Sequence, residues 1–134
     1  MIYNKRENKN EAEIYAMDND LALNDKVIEN VKQEVTEMVK AFMGADLIGV
    51  ILYGSCARGD YTDDSDIDIA LLVKCNRLEV KKYDDALAGI STDLAMKYFA
   101  IVNFVCLPYD EFTERRAWYR YFKNIDMEGE VLYG

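Results

Sequence analysis

Gly54-Ser55-Cys56-Ala57-Arg58-Gly59-Asp60-Tyr61-Thr62-Asp63-Asp64-Ser65-Asp66-Ile67-Asp68 is the stretch on which the fold of this chain turns. An apolar, β-branched run, Leu47 to Tyr53, leads into it, and a second, Ile67 to Val73, leads out. Each is short enough for a buried strand, and Ala57 to Ser65 between them is polar and turn-like. Side chains alternate across a strand, so Asp66 and Asp68 project from one face and Ile67 and Ile69 from the other. Past the second acid the strand becomes wholly apolar, Ile69 to Val73, which places the carboxylates at the lip of a core. Two carboxylates side by side repel each other unless a cation neutralises them. Hard divalent cations take oxygen ligands, and Mg²⁺ combines one or two carboxylates with phosphate oxygens. At the other end, a glycine where a strand stops lets backbone N–H groups approach a ligand, and the Ser55 hydroxyl adds a donor. Arg58 is the nearest cation and can grip a phosphate with two parallel bonds. These pieces describe a site for a metal–nucleoside triphosphate, with phosphate on Gly54-Ser55 and the metal on Asp66 and Asp68.

A calcium loop is the sharpest rival, because Asp60, Thr62 and Asp64 alternate as in an EF-hand. It fails at two positions: the sixth would be Ser65 where glycine is needed, and the twelfth Leu71 where glutamate is needed.

Outward from this centre the elements follow in order. Val27, Ile28, Val31, Val35, Met38, Val39 and Phe42 recur at helical spacing, with Asn24 or Asp25 to start the helix and Gly44 to end it. Arg77 to about Lys97 is expected to be helical with a break near Gly89, placing Val80, Tyr83, Leu87 and Ile90 on one face. A third strand is expected from Ile101 to Leu107, stopped by Pro108, the single proline. Tyr109 to Asn124 carries Phe112, Trp118, Tyr121 and Phe122 at helix-compatible spacing. Two strands joined by a loop, then a helical crossover to a third, give an α/β (α+β) fold: a small mixed sheet with helices packed on it. Residues 1–20 are polar and weakly periodic, either a frayed helix or a disordered arm, and residues 21–134 form a single domain.

Composition narrows the chemistry. The chain has 134 residues, 51% hydrophobic and 31% charged, suited to one domain that buries about two thirds of its unfolded surface. There is no histidine, which excludes Ser-His-Asp and Cys-His catalysis and any His-ligated zinc. Cys56, Cys75 and Cys106 are odd in number and widely spaced, which argues against a disulfide framework or thiolate metal site. Cys56 lies inside the central stretch in no activating setting and reads as a spacer. Sixteen basic against 25 acidic residues leave a net charge of −9. That charge repels nucleic acid from the general surface. No apolar run reaches the about 20 residues of a membrane span, and the N-terminus lacks the apolar core of a signal peptide, so the expected location is the cytoplasm. Arg115, Arg116, Arg120 and Lys123 make a local basic cluster, read as a solvated helix face over a contact for nucleotide or acidic partner. Trp118, Tyr121 and Phe122 read as a stripe docked on the core over a partner interface.

The spacing G-S-x10-D-x-D, with Arg58-Gly59 inside it and Ser65 before the first aspartate, resembles the signature of the minimal nucleotidyltransferases of the DNA polymerase β-like superfamily. The likeness extends from the preceding amphipathic helix to the ending Phe122 to Tyr133. It implies the catalytic-head fold of that superfamily, Mg²⁺ or Mn²⁺ as cofactor and ATP as substrate. By the same resemblance Asp66 and Asp68 would be catalytic and hold the metal, while Gly54, Ser55, Arg58 and Ser65 would hold the nucleotide. Such proteins pair with helical HEPN-domain toxins, and some resemble antitoxins that transfer AMP to a tyrosine of the toxin. The oligomeric state stays open.

One residue departs from the family's pattern, which has a third carboxylate on the next strand. The matching run, Ala100 to Val105, offers only Asn103, whose amide can ligate a metal but cannot serve as a general base. Asp93 and Asp110 are the alternative acids. Asn103 at the third-acid position therefore opens a second expectation: a weakly active or inactive antitoxin or interaction protein of the same fold.

Overall fold

Asn24 starts the first helix with its own side chain, Oδ1 accepting the Val27 N–H at 3.0 Å, and α1 runs Asp25–Met43. Gly44, at φ 55°, ends it in a conformation that side-chain-bearing residues rarely adopt. The computed structural model describes residues 22–134, so the arm expected over residues 1–20 lies outside the described residues. The remaining elements are β1 (Leu47–Tyr53), α2 (Ser55–Arg58), β2 (Ile67–Val73), α3 (Asp84–Tyr98), β3 (Val102–Pro108), α4 (Tyr109–Arg115), α5 (Arg120–Glu128) and β4 (Glu130–Tyr133). The strands form one mixed sheet in the order β3-β2-β1-β4. β1 lies antiparallel to both β2 and β4, and α3 is the crossover that brings β3 parallel to β2.

Helices cover both faces of this sheet, which is why β2 has no polar alternation beyond Asp68. On one face α1 and α3 bury Val31, Val35, Val39 and Leu94 against Val50, Leu52, Ile67, Ile69 and Leu71. On the other α4 and α5 bury Phe112, Phe122 and Ile125 against Ile51, Ala70, Leu72 and Leu107. Each such aliphatic or aromatic side chain contributes about 1.5–3 kcal/mol by leaving water. No helix among the described residues is long and apolar enough to cross a membrane.

Four expectations are corrected. The central loop opens as a helical turn, α2, because the Ala57 and Arg58 N–H groups both close on Gly54 O at 3.1 Å. The helix expected from Arg77 starts as a 3-10 turn over Glu79–Tyr83 and then continues unbroken through Gly89, whose surroundings are open. A lone glycine lowers helix stability without ending the helix. The single tail helix is two, α4 and α5, separated where the Trp118 and Tyr119 N–H groups turn back to Arg115 O. Trp118 is consequently 69% exposed rather than docked, while Phe122 is buried. The chain then adds β4, four residues with too little periodicity to stand out as a strand.

Candidate active site

β1 delivers Tyr53 to the end of the sheet, and the chain turns sharply there. Gly54 sits at φ 75°, and a Cβ on it would lie 2.5 Å from Asp68 Oδ2. Glycine is demanded twice, by backbone conformation and by the carboxylate packed against its Cα. Asp68 itself stands directly across from Tyr53 in the β1–β2 ladder. The loop between α2 and β2 is braced internally: the Thr62 N–H donates to Ser65 Oγ at 2.9 Å, and the Ser65 N–H returns to Thr62 O at 3.1 Å. Tyr61 anchors the same loop to α1 by donating its phenol to Asp25.

The parallel register of β2 and β3 sets Asn103 beside Asp68. Asn103 Nδ2 donates to Asp66 Oδ2 at 2.9 Å and to Asp68 Oδ1 at 3.5 Å, so one amide spans both carboxylates. The expectation that Asn103 faces the aspartate pair holds in position. In this structure the amide nitrogen, not the oxygen that could ligate a metal, faces the carboxylates and donates to them. Burial pushes the Asp68 carboxyl above the ordinary carboxylate range, with the Asp66 charge adding to the shift and the Asn103 hydrogen bond and Arg58 opposing it. Asp110 follows β3 at its Val73 end, five residues of strand or about 16 Å from Asp68, and cannot stand in as a third acid. Asp93 is exposed on α3 and makes no hydrogen bond to the pair among the described residues.

Arg58 and Ser65 have other partners in this structure. Arg58 is exposed, its Nε 3.3 Å from Asp60 Oδ2 and its Nη1 3.4 Å from Glu128 Oε2 at the end of α5. The Ser65 hydroxyl serves the loop brace. Cys56 donates weakly to Asp66 O at 3.5 Å. Burial, assisted by Asp68, pushes its thiol up to about 11 against an opposing hydrogen bond from Ser55, so it stays protonated and fits a spacer. Tyr53 escaped notice in the sequence as a rim residue, and Tyr121, expected to dock on the core, is 41% exposed and stands at the rim with it. The phenols of Tyr53 and Tyr121 meet at 3.0 Å, and burial drives the Tyr53 hydroxyl well above its usual range. The only local signal was Tyr53 standing next to Gly54; Tyr121 and Glu128 arrive from α5 and carry no motif.

The donor set has hard oxygen chemistry. Among the described residues no three His, Cys, Asp or Glu side chains are placed to hold a metal ion by themselves. Two carboxylates on one face with an amide beside them still match what Mg²⁺ takes from a protein when phosphate and water complete its shell.

Comparison with known proteins agrees with this architecture. The sequence model described as nucleotidyltransferase domain matches residues 28–127, and the chain belongs to that family. "Putative protein adenylyltransferase MJ0604" of Methanocaldococcus jannaschii is 31% identical over 103 residues, covering 77% of this chain and 94% of that protein. "Putative protein adenylyltransferase MJ0141" of the same organism is 31% identical over 78 residues, covering 58% and 73%. Among solved structures, a chain of a mutant toxin–antitoxin complex, MntA-HpeT, shares the fold with a TM-score of 0.52. It is 19% identical, covering 77% of this chain and 73% of that one.

Proposed function

We propose that this protein transfers AMP from ATP to a hydroxyl of an acceptor protein, with pyrophosphate leaving and Mg²⁺ or Mn²⁺ as cofactor. The observation that carries the proposal is the convergence of Gly54, Asp66, Asp68 and Asn103 at one end of the sheet, with a glycine that cannot be replaced without striking the second aspartate. The adenylyltransferase names of its relatives support the choice of AMP. The acceptor proposed is a tyrosine of a helical HEPN-domain partner. Support comes from the motif's resemblance and from the fold shared with a toxin–antitoxin complex.

Asp66 and Asp68 would hold the divalent cation, which when bound supplies charge neutralisation for the triphosphate and the leaving pyrophosphate. The Gly54-Ser55 backbone and the Ser55 hydroxyl would hold phosphate oxygens, with Arg58 able to leave its exposed ion pairs for a phosphate. A bond forms from the acceptor oxygen to the α-phosphorus as the bond to pyrophosphate breaks. Asn103 cannot take the acceptor's proton, which passes to water. General-base assistance is worth about 10²–10⁴-fold, so transfer is expected to be slow.

That neutral amide also favours a second reading, a fold-retaining antitoxin that acts by binding its partner. One experiment separates them. The chain is incubated with labelled ATP, Mg²⁺ and the product of the neighbouring gene, and adducts are sought by mass spectrometry. A nucleotide adduct on the partner supports transfer; a stable complex with no adduct supports the binding protein.

A further inference from the structure

The open side of β3 stands out once the sheet order is known. β3 is an edge strand, and the Ile67 N–H to Ile101 O bond at 2.8 Å fixes the phase of its ladder. In a parallel ladder that phase turns the main-chain groups of Val102, Phe104 and Cys106 away from β2. Ser91 Oγ donates to Val102 O at 2.9 Å, which leaves Phe104 and Cys106 facing outward. Edge strands are normally guarded by charge, proline or a bulge; β3 has no charged residue and its proline comes last. A groove of about 450 Å³ runs beside this edge between β3 and α3. Ile101, 60% exposed, lines it, and Met96 at 74% and Phe99 at 49% are exposed on the stretch that leads from α3 into β3. Phe99 sits at φ 56°, where glycine is the usual residue, so an exposed aromatic is kept at a backbone cost that no core packing explains.

We infer that this edge docks the acceptor: an extended, apolar and basic segment of the acceptor protein adds to β3 as a fifth strand and presents its hydroxyl to the aspartate pair. Continuity with the site places it there, since Asn103 both lines the groove and touches both aspartates. Charge complementarity sets the chemistry of the segment. Asp84 lines the groove, Asp84 and Asp93 on α3 make no ion pair among the described residues, and the chain carries −9 overall, which disfavours a second copy as occupant. The other sheet edge, β4, opens with Glu130 and lies two strands from the aspartates. Strand addition supplies affinity through the main chain and leaves alternate side chains to specify the partner. The inference rests on the transferase reading only for what the hydroxyl receives.

The test uses a fluorescent, acetylated peptide of alternating valine and lysine with one central tyrosine. Two N-methylated forms accompany it, one for each alternate set of residues. Binding is followed by anisotropy, and β3 amides by hydrogen exchange, with Mg-ATP binding measured in parallel. Strand addition predicts that one methylated form binds at least tenfold more weakly while the other binds normally, and that the Phe104 and Cys106 amides become protected. Phe99→Gly should raise the melting temperature yet weaken the parent peptide at least fivefold. Equal binding of all three peptides would reduce the contact to charge attraction and overturn the inference, as would absent binding or protection confined to β4 or the Trp118 turn. Failed peptide docking with intact Mg-ATP binding sinks the inference alone. Strand docking without Mg-ATP binding sinks the transferase reading and leaves β3 as a partner edge.

Discussion

Gly54 concentrates the constraints of the site in one Cα. Gly54→Ala must place a methyl group 2.5 Å from Asp68 Oδ2 while holding φ at 75°. The variant is expected to lose about 2 kcal/mol of stability and its Mg-ATP affinity together. Urea denaturation and calorimetry check the two losses, and retention of either would relocate the phosphate site. The aspartates behave differently, because each presents an oxygen to the Asn103 amide that an asparagine would also present. Replacing both Asp66 and Asp68 by Asn removes their mutual repulsion and keeps those acceptors. The metal-free double variant should melt at the same temperature or higher, and should gain nothing from Mg-ATP. A clear drop in its metal-free melting temperature would mark the pair as structural. Asn103→Asp reverses the situation by exchanging a donor shared between two carboxylates for a third carboxylate. Its metal-free melting temperature should fall. Single-turnover transfer with saturating Mg-ATP should rise at least about tenfold, or roughly 1.4 kcal/mol of barrier. An unchanged rate would mean that the missing base is not what limits the reaction.

At the scale of elements, α5 ties the helical layer to the site by both its ends, Tyr121 reaching Tyr53 and Glu128 reaching Arg58. The far end of the sheet is held by a different pair. Arg77, in the turn after β2, donates to Glu111 on α4 from Nε at 2.8 and 2.9 Å. That hydrogen-bonded guanidinium holds the Glu111 carboxyl below its ordinary value. A depressed carboxylate contributes stability that is complete above its unfolded value of 4.5 and is lost as the pH falls through the folded one. Arg77→Met should therefore lower the melting temperature at pH 7, with the difference from the parent shrinking by pH 3. A difference that persists unchanged at pH 3 would assign the loss to packing of the Arg77 stem. Arg115 also pairs with Glu111, at 3.1 Å, so the effect is expected to be partial.

For the molecule as a whole, the net charge of −9 sets the terms on which it meets ATP. A bare triphosphate is repelled by the general surface and by the aspartate pair alike, whereas a bound divalent cation reverses the local sign. ATP binding should thus disappear in the presence of a chelator. Calorimetry giving equal affinity with and without Mg²⁺ would reject the carboxylate pair as a metal site. The same excess of charge suits a basic partner, in keeping with Asp84 in the groove beside the unguarded edge of β3.

α1 with its asparagine cap and terminal glycine, β1, β2, and the two aspartates at the lip of β2 were legible in the sequence, because each depends on residues close along the chain. Helical spacing, a charge interrupting an apolar run and a glycine at a strand end act over a few residues, and burial on both faces of β2 only reinforces them. What only the tertiary structure decided are contacts whose partners lie far apart in sequence. The parallel register of β2 and β3, which the sequence left undecided, turns the expected position of Asn103 into hydrogen bonds to both Asp66 and Asp68. The second helical layer brings Tyr121 to Tyr53 and Glu128 to Arg58. Trp118 stays in water because α4 and α5 part at the turn that carries it, and β4 exists because β1 offers it an edge to pair with. Local pattern determines which strands form; strand order and register determine which side chains meet, and those follow from how the whole chain buries its apolar faces at once.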